Sequence, residues 1–61
     1  MPRMTIGERH ALRALRQALK VHREFQRQVR LGRFHPFTVN GTRLDVMRAV
    51  AHLRRVRQES R

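Results

Sequence analysis

The spacing of apolar residues predicts an all-α fold, a two-helix antiparallel hairpin that dimerises. Three observations carry this. Apolar side chains recur every three or four positions along two separate segments, as they do on one face of a helix. One break, containing Gly32 and Pro36, divides those segments. The 61 residues include no cysteine, so no disulfide or cysteine-based zinc site braces another kind of small scaffold. A chain this short buries only about 60% of its unfolded surface, and one domain, residues 1–61, is the most it can form.

Residues 1–4 read as a frayed arm. The tetrapeptide TIGE then matches a capping box, with Thr5 at the N-cap and Glu8 three positions on. Beyond it Leu12, Leu15, Leu19, His22 and Val29, with Ala11, Ala18 and Phe25 beside them, form one apolar face. No proline interrupts the run and Gly32 suits the stop position, which predicts a long helix over residues 6–31.

Pro36 excludes a continuing helix, so residues 32–42 read as an extended connector. Asn40-Gly41 would suit a hairpin turn, but three residues on each side make a poor hairpin. The rival reading is preferred: TRLD, Thr42 to Asp45, as a second capping box that opens a short helix over residues 43–58. Val46, Val50 and Leu53, with Met47, Ala49 and Val56, give it an apolar face, and residues 59–61 fray. The long helix would overhang the short one by about ten residues, some 15 Å at 1.5 Å each, and its unmatched surface argues for a homodimer. Phe34 and Phe37 are expected to plug the end of the helix pair, and His22 to be packed or to lie at the dimer seam.

Charge is the strongest compositional signal. Fifteen Lys+Arg against four Asp+Glu give a net +11, the footprint of a polyanion binder. Arginine dominates, either because its fork matches phosphate or because codon usage favours it. Arg9, Arg13, Arg16, Lys20, Arg23, Arg27 and Arg30 follow one another at alternating spacings of four and three. At 100° per residue they share one side of the first helix, over roughly 31 Å. A solvated face is the ordinary explanation of helix-surface charge. Here stacked like charges cost a few tenths of a kcal/mol per i,i+4 pair, and only Glu24 is placed to offset them, by pairing with Lys20 or Arg27. A bound anion would relieve that repulsion.

The row suits phosphate tracking better than base reading, which needs a few mixed Arg, Asn and Gln side chains at a helix start. With no Trp or Tyr, a single-strand stacking platform is poorly supplied. Arg48 and Arg55 of the second helix, with His52 on the same polar side, are expected to lie alongside as further phosphate contacts. Arg54, Arg57 and Arg61 are expected to support them unless they only complement the helix C-terminal dipole.

The resulting expectation is a small basic protein that binds DNA or structured RNA, regulatory or architectural, with no cofactor, metal or small-molecule substrate. His10, His22, His35 and His52 show no metal-ligand spacing, and the four carboxylates suit caps, a helical pair and a tail. Catalysis is therefore not expected. No apolar run nears the ~20 residues of a membrane span, and no apolar core of signal-peptide length is visible, so the cytoplasm is the expected compartment. The alternative is an interaction module or inhibitor docking on an acidic protein surface. RAVAHLRRV, Arg48 to Val56, also resembles the second helix of the small helical-hairpin protein of the large ribosomal subunit. That likeness covers about nine residues and implies a ribosome-associated structural role. HPFTVNG makes this connector longer than that family's, REF alone links the first helix to it, and no residue roles carry over.

Overall fold

A computed structural model describes residues 4–59 and shows two helices, α1 (Ile6–Arg30) and α2 (Thr38–Glu59), packed as an antiparallel hairpin of about 45 × 16 × 13 Å. Most of the predicted arm and tail, residues 1–3 and 60–61, lies outside the described residues.

α1 begins and ends as its residues dictate. Thr5 holds an extended backbone, and its Oγ1 accepts the Glu8 N–H at 3.1 Å, covering one of the helix's orphan donors. At the other end Gly32 takes φ 76°, a conformation that costs a residue without a Cβ nothing. Gly32 N–H then bonds the Val29 carbonyl at 3.0 Å and Arg33 N–H the Gln28 carbonyl at 2.9 Å, the paired bonds of a Schellman stop.

α2 starts at Thr38, not near residue 43. His35 provides the cap: its Nδ1 accepts the Phe37 N–H at 3.0 Å, and its carbonyl accepts the Thr38 N–H at 3.0 Å and the Thr38 hydroxyl at 2.8 Å. Pro36 lies in the turn that leads into α2, where its missing N–H costs nothing and its ring presets φ. The helix therefore runs through Asn40 and Gly41 although glycine in a helix costs about 1 kcal/mol relative to alanine. Burial outweighs that loss. Extending α2 back to Val39 and Thr42 adds a half-buried and a buried residue to its apolar face. Thr42 is thus an interior contact and not an N-cap. The connector shrinks to residues 31–37, and the helices, 25 and 22 residues long, nearly match. The large overhang that argued for a dimer is absent.

The interface follows a seven-residue repeat. On α1, positions 8, 15, 22, 29 and 11, 18, 25 are buried or half-buried; on α2, positions 39, 46, 53 and 42, 49, 56 are. This 3.5-residue period keeps one seam facing its partner along a coiled pair. Two contacts set the register: His22 Nδ1 lies 2.7 Å from Thr42 Oγ1, and a Cβ at Gly7 would stand 3.3 Å from Val56 Cγ1. Counting along the antiparallel register from these two points sets Ala11 opposite Leu53, Leu15 opposite Ala49 and Ala18 opposite Val46. Small side chains meet large ones, so the layers interlock. Ala11 and Leu53 are 1% and 7% exposed.

His22 packs within the hairpin. The Thr42 hydroxyl has one proton, which it donates to the Val39 carbonyl at 3.0 Å, so towards His22 it accepts and the ring donates from Nδ1. Thr42→Val removes that acceptor and leaves a half-buried donor unmatched, an expected loss of about 1–2 kcal/mol. His22→Leu added to Thr42→Val removes both polar partners and should recover most of the loss in urea unfolding.

Candidate polyanion interface

All seven cations of the α1 row are exposed. The helical rise sets them along roughly 31 Å, on the side turned away from the buried seam. Arg16, Lys20, Arg23 and Arg27 line one shallow furrow with Leu19 and Glu24, and Arg9 and Arg13 line two more towards the N-terminus. Among the described residues none of these cations is in an ion pair. The expected pairing of Glu24 with Lys20 or Arg27 is absent; its carboxylate accepts the Gln28 side-chain amide at 2.9 Å instead. Gln28, an i+4 neighbour, competes for the one acid within reach, so Glu24 lends its charge to the furrow without a direct ion pair to the row.

The second helix departs from expectation. Arg48 shares a furrow with Val21, Phe25, Thr38, Gly41 and Asp45, on the side of the hairpin away from the row. Arg55, two turns further on, falls on that same side by the helical repeat and is exposed. Neither lies alongside the row. In an antiparallel pair the side of α2 continuous with it belongs instead to Arg43 and Arg54, both exposed. Half-buried Leu12, Leu19 and Val50 floor the strip between the helices there. Sequence alone raises Arg54 only as one of several late-helix arginines and misses Arg43, because the side each takes depends on how α2 is oriented against α1.

The two connector phenylalanines also part ways. Phe34 folds back on Phe25, ring centroids 5.2 Å apart and tilted by 58°, but remains 41% exposed, so it covers the end of the helix pair only in part. Phe37 is 73% exposed and plugs nothing. Among the described residues no cluster of three His, Asp or Glu side chains is placed to hold a metal ion, and no helix is long and apolar enough to cross a membrane. No family model, curated protein or solved structure matches the chain.

Proposed function

We propose that this protein binds nucleic acid, double-stranded DNA or structured RNA, by laying the cationic side of α1 along the phosphates. It is a binding protein and not an enzyme, acting in the cytoplasm as a regulator or architectural factor. The observation that carries this reading is the row of seven exposed cations on one helix, none of them ion-paired among the described residues. Its roughly 31 Å approach one turn of B-DNA, about 34 Å. Arg43 and Arg54 widen the row into a basic face. Arginine forks match phosphate oxygens in pairs, and the scarcity of acid on this side keeps the field attractive along its whole length.

Releasing about one counterion per neutralised phosphate predicts a log–log salt slope of about −5 to −6 on duplex DNA. A titration at several salt concentrations measures it. Weak binding with a flat salt response would transfer the charge to another role. Competition among duplex DNA, hairpin RNA and heparin then ranks the polyanions.

A further inference from the structure

The two helices differ on their outward sides. That of α1 is cationic, whereas α2 carries a second apolar line. Phe37, Leu44 and Ala51 recur every seven residues, with Asn40 and Met47 between them, and helical rotation turns this line outward from the seam, Leu44 also edging the furrow that Val21 and Phe25 of α1 line. Phe37, Leu44 and Met47 are 73%, 52% and 59% exposed. Single exposed apolar residues are common on soluble proteins. A line that keeps the period of the buried seam through two heptads is the pattern of a helix packed on both sides.

The surroundings of the line restrict what covers it. Arg43 and Arg54 border one edge, Arg48 and Arg55 the other, all exposed, and Asp45 is the one carboxylate in this stretch. A second copy would set these arginines against their own counterparts, two chains of +11 each. A membrane surface would have to take up Asn40 in the middle of the line, with no Trp or Tyr to anchor at the interface. A helix with apolar residues at matching positions and Asp or Glu on both flanks meets the oily line and the arginine edges together, and Asn40 then helps select register.

We propose that the outward line of α2, Phe37 to Ala51, docks an amphipathic helix with acidic flanks from another protein, making α2 the middle of a three-helix layer. Its apolar anchors Leu44 and Met47 lie on a different side from the cationic row of α1, and of the residues in the nucleic-acid reading only Arg43 and Arg54 border both surfaces.

The test uses the full chain and a labelled synthetic helical peptide with Leu at its heptad core positions and Glu on the flanks, beside otherwise identical Gln- and Lys-flanked peptides. The Glu peptide should bind and shift the amide resonances of Leu44, Met47 and Ala51, the Gln peptide should bind more weakly, and the Lys peptide should not bind. Leu44→Gln and Met47→Gln should each weaken the complex roughly tenfold or more, with helical content and DNA affinity unchanged. Absence of Glu-peptide binding, or shifts confined to the α1 row, overturns the proposal. So does a dimer of the chain alone that Leu44→Gln dissolves, which would make a second copy the occupant. Flotation with phosphatidylglycerol vesicles that Leu44→Gln abolishes would assign the line to lipid and also overturn it.

Discussion

Replacing Arg13, Arg16, Lys20 and Arg23 together with Glu should abolish binding to duplex DNA while leaving the circular dichroism spectrum of a helical hairpin. Each replacement changes the charge by two, so the net charge falls from +11 to +3. All four positions are exposed and contribute nothing to the seam, and surface changes of this kind usually alter stability by about 0.5 kcal/mol or less each. The milder Gln replacements separate loss of attraction from introduced repulsion. Removing four phosphate contacts at about 0.9 each should flatten the salt slope by roughly 3.6. Arg48→Gln with Arg55→Gln, on the far side of α2, should flatten it far less. Unchanged affinity and slope in the fourfold Glu variant would place the contact surface elsewhere on the molecule.

Leu53→Ala should have the largest effect on stability. Leu53 is 7% exposed, opposite Ala11, which is 1% exposed and too small to fill the space left behind. Truncating a buried leucine costs about 2–5 kcal/mol. A core this small rarely supplies more than about 3–5 kcal/mol in total. The variant is therefore expected to lose most of its cooperative melting transition, followed by circular dichroism. Leu44→Ala, which removes the same atoms from an exposed site, should stay within about 0.5 kcal/mol of the parent. A melting temperature for Leu53→Ala only a few degrees below the parent's would mean that this end of the seam adds little to stability.

Much of α1 is legible in the sequence because its determinants are local. Thr5 caps through an amide three residues away, Gly32 stops the helix with its own backbone, and the cations need only the helical repeat to align. The start of α2 is not legible in the same way, because two local signals compete with the true one. TRLD resembles a cap and Asn40-Gly41 resembles a turn, yet His35 and Pro36 start the helix earlier and the gain from burying Val39 and Thr42 keeps it going. A start near residue 43 also conceals the outward line, since Phe37 and Asn40 then fall in a loop and Leu44 and Met47 have no repeat to join.

Sequence alone settles that two amphipathic helices form, that the first carries an unbroken cationic side, and that no cysteine chemistry supports the fold. Each follows from residue type and a fixed rotation per residue. Only the packed pair decides that Arg43 and Arg54, not Arg48 and Arg55, adjoin that side, that Glu24 binds Gln28, and that α2 keeps a second apolar line uncovered. Those outcomes depend on how one helix is turned against the other, and interlocking side chains along the whole seam choose that rotation together.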